Sequence, residues 1–101
     1  MKTQKIKLIE LPKEMEIHVA GKQMTWKDAM DYAESIGMRL PTKFELQAIA
    51  ESTDEFDHLV WAWSASTLSH FPTYAWYVYL YDGYTTNYSK TLSRPVLCVS
   101  P

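Results

Sequence analysis

The chain has 101 residues, 47% of them apolar and 22% charged, with a formal net charge of −2 from ten basic and twelve acidic side chains. That composition suits one ordered domain with a single core, and the interspersed charges exclude the basic face that a nucleic-acid backbone requires. Nothing approaches the ~20 consecutive apolar residues of a membrane span, and the lone Cys98 excludes an internal disulfide.

Residues 1–101 therefore read as one domain. The opening MKTQKIKLIELPKE is basic but lacks the apolar run of a signal peptide, so a cytoplasmic protein is expected. Ile6 to Leu11 and Met15 to Ala20 read as short strands of a terminal hairpin, separated by Pro12 and closed by Gly21. Thr25-Trp26-Lys27-Asp28 has the form of a capping box. Behind it Trp26, Ala29, Met30, Ala33 and Ile36 recur at helical spacing up to Gly37, which predicts an amphipathic helix from Trp26 to Ile36. A second box, Thr42 with Glu45, opens a helix from Lys43 to about Glu51, with Pro41 placed to pack on Leu46. Ser52 to Asp57 is an acidic loop.

From Leu59 the apolar period changes to two, the period of strands. WAWSAST sets Trp61, Trp63 and Ala65 on one side, and LSHFPT reads as a loop leading to Tyr74. In AWYVYLYDGY the Asp82-Gly83 pair predicts a two-residue hairpin turn, since both residues tolerate positive φ. That register pairs Tyr81 with Tyr84, Tyr79 with Thr86 and Tyr77 with Tyr88, so five tyrosines share one face while Trp76, Val78 and Leu80 share the other. RPVLCVS is the last strand, with Pro95 at its start. The inward positions of these elements predict a core of Trp26, Leu40, Leu46, Ile49, Trp63, Trp76 and Val78.

The tyrosine face admits two readings. Either the loop from Ser66 to Thr73 covers it, or Tyr77, Tyr79, Tyr81, Tyr84 and Tyr88, with Phe71 adjoining, form an exposed aromatic platform with at least three rings accessible. Rigid amphipathic rings carry protein interfaces at low entropic cost. A third possibility is that the same stripe is buried in a homodimer.

The succession of Trp26 to Gly37 as W-x-x-A-x-x-Y-A-x-x-x-G, Arg39 to Leu46 as R-L-P-T-x-x-E-L, then W-S-A-S-T, A-W-Y-V, D-G and R-P-V-L-C-V, resembles the bacterial and phage branch of the C-type-lectin-like fold. It is similar to the Fibrobacter-type paralogous domain and to the C-terminal domain of Legionella collagen-like adhesin, and more distantly to the formylglycine-generating enzymes. The resemblance covers roughly residues 15 to 100 and implies an α+β fold, two helices packed on a twisted antiparallel sheet. It implies much less about function, because one fold hosts many sites. The calcium-binding Glu-Pro-Asn, Gln-Pro-Asp and Trp-Asn-Asp motifs of sugar-binding lectins are missing, as are their paired cysteines.

Other chemistries find little support in the residues. Asp54, Glu55 and Asp57 offer hard oxygen ligands, but solvated loop acids explain them, and neither a metal nor another cofactor is expected. His18, His58 and His70 fall in different elements, and nothing in the sequence enforces a pairing with Ser64, Ser66 or Thr67. Cys98 reads as a small core residue, and Arg39 as a structural ion pair or a carbonyl cap rather than a substrate ligand. The expectation is a non-catalytic module whose partner is a protein, not a nucleic acid or a membrane. A phage or prophage accessory that occupies and inhibits a host defence protein is one form of it. Calcium-independent sugar binding and a structural role in a phage particle are the alternatives.

Overall fold

A computed structural model describes the backbone of residues 2–7 and 14–101, with side chains described from residue 15 onward. In chain order the elements are strands β1 (Lys2–Lys7) and β2 (Glu14–Val19), helices α1 (Trp26–Ser35) and α2 (Lys43–Ser52), a short 3-10 turn (Asp57–Leu59), and strands β3 (Trp61–Leu68), β4 (Phe71–Tyr79), β5 (Thr85–Ser89) and β6 (Leu97–Val99). The predicted terminal hairpin is present as β1 paired with β2, although the first strand starts earlier than expected and positions 8–11 of its predicted span lie outside the described residues.

Both helices start where their caps place them. The Thr25 hydroxyl accepts from the Asp28 N–H at 3.4 Å. At α2 the box is reciprocal: Thr42 Oγ1 accepts from the Glu45 N–H at 3.1 Å, and Glu45 Oε1 accepts from the Thr42 N–H at 2.8 Å. Gly37, at φ 73°, supplies the left-handed residue just beyond α1. Arg39 then locks the second cap, donating from Nη1 and Nη2 to the two Glu45 oxygens at 2.6 and 2.8 Å. Of the two structural roles that the sequence predicts for Arg39, this is the ion pair.

The strands form two antiparallel sheets rather than one, in the orders β1-β2-β6 and β3-β4-β5. Both faces of β4 are covered, because the core is split into two clusters. Leu46, Ala48 and Ile49 of α2 meet Met15, Ile17, Ala62, Val78, Leu80, Leu97 and Val99 in the first. Ala29 and Ala33 of α1 meet Leu40, Trp63, Ala75, Tyr77, Val96 and Cys98 in the second. The period of two in Val96-Leu97-Cys98-Val99 sends successive side chains to opposite clusters, so this short strand ties them together.

Leu40, Leu46, Ile49, Trp63 and Val78 are buried as predicted, but Trp26 and Trp76 are only half-buried. Each sits at the solvent border with an ammonium group on its outer face: Lys90 Nζ stands 4.1 Å from the Trp26 ring and Lys43 Nζ 4.1 Å from the Trp76 ring. The indole N–H of Trp26 donates to Ser64 O at 2.9 Å, which anchors the ring at the edge of the sheet. Phe44, on the outer face of α2, is 69% exposed.

Candidate functional site

The site grows from the pairing of three strands. β3 and β4 pair Trp63 with Tyr77 and Trp61 with Tyr79, which puts four large rings on one face of the sheet. β5 adds Tyr88 opposite Ala75, and the loop before it adds Tyr81 and Tyr84. Ring centroids run continuously: Trp63 to Tyr77 at 6.0 Å, Tyr77 to Trp61 at 5.4 Å, Trp61 to Tyr79 at 5.1 Å, Tyr77 to Tyr88 at 6.3 Å, and Tyr79 to both Tyr81 and Tyr84 at 5.8 Å. The structure thus gathers Tyr77, Tyr79, Tyr81, Tyr84 and Tyr88 into one stripe.

Burial along that stripe is graded. Trp63 is sealed and Tyr77 is 4% exposed, Trp61 and Tyr79 are half-buried, and Tyr88, Tyr81 and Tyr84 are exposed by 46%, 59% and 62%. Tyr77 therefore belongs to the core and serves as the foundation of the stripe rather than as part of its open surface. Burial, and then the neighbouring Tyr79, push the Tyr77 hydroxyl above its ordinary pKa, while Arg94 works against them.

The hairpin differs in register from the two-residue turn. Val78 pairs with Thr85 and Tyr77 with Thr86, a displacement of two positions, and the connection spans Leu80 to Tyr84. The Tyr79 N–H donates to Tyr84 O and the Gly83 N–H to Tyr79 O, both at 2.8 Å. Leu80 explains the early turn: it is 1% exposed and its N–H donates to Val60 O, so the strand leaves the ladder to bury it. Gly83 still takes the positive φ, at 77°, and the Asp82 carboxylate accepts from the Tyr84 N–H. Because the displacement is even, the tyrosines keep their shared face.

The expected loop from Ser66 to Thr73 does not exist as a cover. Leu68 pairs directly with Phe71, so LSHFPT is a tight hairpin that continues both strands. Phe71 is 60% exposed, but its ring neighbour is Tyr74, which shares the strand side of Trp76, so Phe71 is not joined to the stripe. Two residues of the site were missed from the sequence. The sequence reading places Trp61 on one side of its strand with Trp63 and Ala65 but in neither the core nor the stripe, although the matching parity of WAW and YVY puts it beside Tyr79. Arg94 carries no local pattern; it arrives through an isolated bridge to Met24.

Arg94 lies across the foot of the stripe, its guanidinium carbon 4.5 Å from the Trp61 ring, 5.4 Å from Tyr77 and 5.5 Å from Tyr88. Beside Trp61 opens a cleft of about 410 Å³ lined by Ala20, Lys22, His58, Val60 and Pro95 among others. Val60, at φ 67° and ψ −60°, is the one non-glycine residue of positive φ among the described residues.

Several of the other reactive groups are engaged elsewhere. His18 Nε2 and the Tyr32 hydroxyl are 2.8 Å apart, His58 Nδ1 meets Glu55 O at 3.1 Å, and Ser64 Oγ donates to Trp76 O at 2.8 Å. Burial pushes the Cys98 thiol up to about 11, so it stays protonated at neutral pH, as expected of a core residue. Among the described residues no helix is long and apolar enough to cross a membrane.

Two helices on antiparallel sheets, with the first and last strands in one sheet, define a C-type-lectin-like α+β domain, and a solved structure agrees. The C-type lectin TC14 from the tunicate Polyandrocarpa misakiensis superposes with a TM-score of 0.60 at 15% sequence identity, covering 86% of this chain and 98% of the lectin. At that identity the likeness is one of fold. The chain belongs to the family described as Domain of unknown function (DUF8780), which matches residues 17–100. A comparison with curated proteins gives no match.

Proposed function

We propose that the chain is a non-catalytic protein-binding module whose contact surface is the outer end of the aromatic stripe. The observation that carries this reading is the gradient itself: Tyr88, Tyr81 and Tyr84 are 46–62% exposed yet belong to the same ring stripe as a sealed core. Tyr88 stands on strand β5, and Tyr81 and Tyr84 on the short turn before it pack against Tyr79, which lowers the ordering cost of binding; exposed aromatic anchors of this kind dominate interface energetics.

Capture from bacterial lysate by the wild-type chain and by a Tyr81→Ser, Tyr84→Ser double variant tests it, followed by affinity measurement on the captured partner. The variant is expected to bind at least about tenfold more weakly, as for loss of interface anchors, with an unchanged unfolding midpoint. Equal binding by both proteins would refute the stripe as the contact surface. A dimer in sedimentation that the same variant dissolves would make the partner a second copy.

Sugar binding is the competing reading, and the lectin name of the structural neighbour favours it. Binding to a glycan array without calcium, lost in the double variant, would establish it. The finer form of the leading proposal is a phage or prophage accessory that occupies a host defence protein. It is supported by the size of the domain and the resemblance of its motifs, and identification of the captured partner decides it.

A further inference from the structure

The two arginines on the sheet margins are treated differently. Arg39 spends its fork on Glu45 in two short bonds. Arg94 packs on three aromatic rings, donates from Nη1 to the carbonyl of the adjacent Ser93 at 3.0 Å and interacts with the Tyr77 hydroxyl. Its Nε is buried and meets no acceptor, and among the described residues no carboxylate pairs with it. A guanidinium offers five N–H donors in a planar fork, and one that is partly desolvated and faces only neutral acceptors gains most from a carboxylate.

Resting on the protein-binding reading, we infer that the partner contributes an acidic side chain that docks on Arg94 while its neighbouring apolar groups cover Tyr88, Tyr79 and Trp61. Charge complementarity selects this occupant. Arg94 is a cation packed on neutral rings, and the acid within the AWYVYLYDGY segment, Asp82, is already turned onto the Tyr84 N–H at 2.9 Å. A single partly desolvated charge fits one carboxylate, whereas a phosphate polymer needs a row of cations. Ring planes along the stripe are inclined by 38–82° to one another, a corrugated surface that suits interdigitating side chains.

The test uses a displayed library of random twelve-residue peptides, selected on the full chain and on its Arg94→Gln and Tyr81→Ser, Tyr84→Ser variants. Peptides enriched on the wild type are expected to share an Asp or Glu beside apolar residues. Replacing that residue by its amide in a synthetic peptide should weaken binding about tenfold on the wild type, as for a charge-assisted pair, and leave binding to Arg94→Gln unchanged. Peptides that depend on the tyrosines but carry no acidic position, or that ignore the amide swap, would overturn the acidic partner and leave the protein-binding reading standing. Absence of any tyrosine-dependent peptide would remove both. A chain that dimerises on its own and is dissociated by Arg94→Gln would replace the acidic partner with a second copy. If Arg94→Gln does not fold, the amide swap on the wild type decides alone.

Discussion

The two faces of β4 put apolar side chains to different ends. On one, Val78 and the following Leu80 are sealed against Leu46 and Ile49 of α2 in a cluster with no titratable group. On the other, Ala75 and Tyr77 are sealed but Tyr79 is half-open, and the stripe continues outward through rings whose hydroxyls can meet water. Aliphatic side chains make a boundary that ends abruptly. Tyrosines make one that extends the packed interior into an ordered surface, because each ring is apolar in body and polar at its tip. The surface that we assign to binding is thus the margin of the core.

The largest effect should separate these faces by stability. Leu80→Ala removes a sealed side chain and is expected to cost about 2–5 kcal/mol, whereas Tyr84→Ser, at 62% exposure, should cost no more than about 0.5 kcal/mol. Urea unfolding of both variants checks this. Comparable losses would mean that the outer rings are core after all, and the comparison would break.

A smaller effect distinguishes the clusters by pH. The second holds Cys98, raised to about 11 by burial, and Tyr77, also raised chiefly by burial; Tyr32, packed against it, shifts the same way. Each of these groups is neutral when protonated, so between the ordinary pKa and the raised one the folded chain keeps a proton that the unfolded chain has lost. Stability is then complete below about pH 8 and falls as pH rises towards 11, by on the order of 2 kcal/mol for the thiol alone. Chemical denaturation at pH 7 and pH 10 measures the loss, and Cys98→Ala should reduce it. An undiminished loss in that variant would assign the effect to the tyrosines.

Much of this was legible from periodicity and caps. Thr42 and Glu45 fix the start of α2, Gly37 lies just beyond α1, and the alternation in AWYVYLY puts the tyrosines on one side, because each depends on neighbours within a few residues. The misreadings came from longer range. Asp82-Gly83 has strong local turn chemistry, but burying Leu80 beneath Val60 outweighs it and shifts the ladder by two. LSHFPT contains a proline and polar residues, yet pairing of Leu68 with Phe71 extends both strands through it. Arg94 joins Trp61 only because β3 and the segment before β6 converge, which no spacing encodes. Periodicity puts Trp26 and Trp76 at inward positions, while the lysines above them let both rings stop at the surface.

The smallest effect lies where the two faces meet, at Val60. Its carbonyl accepts from the Leu80 N–H at 2.8 Å, and the next residue, Trp61, begins the stripe, so this backbone sets both the inner face and the outer one. A β-branched residue at φ 67° is strained by about 1–3 kcal/mol, and at 45% exposure its side chain gains little from burial. Glycine adopts that φ freely but loses about 0.5–1 kcal/mol more backbone entropy on folding. The two terms oppose each other, and Val60→Gly should be neutral to stabilising by about 1 kcal/mol. Thermal unfolding and near-ultraviolet circular dichroism of the variant test this together. A raised or unchanged midpoint with an unaltered aromatic spectrum fits a turn held by its surroundings. A loss of more than about 1 kcal/mol, with a changed spectrum, would show instead that the valine side chain braces Trp61 and belongs to the stripe's foundation.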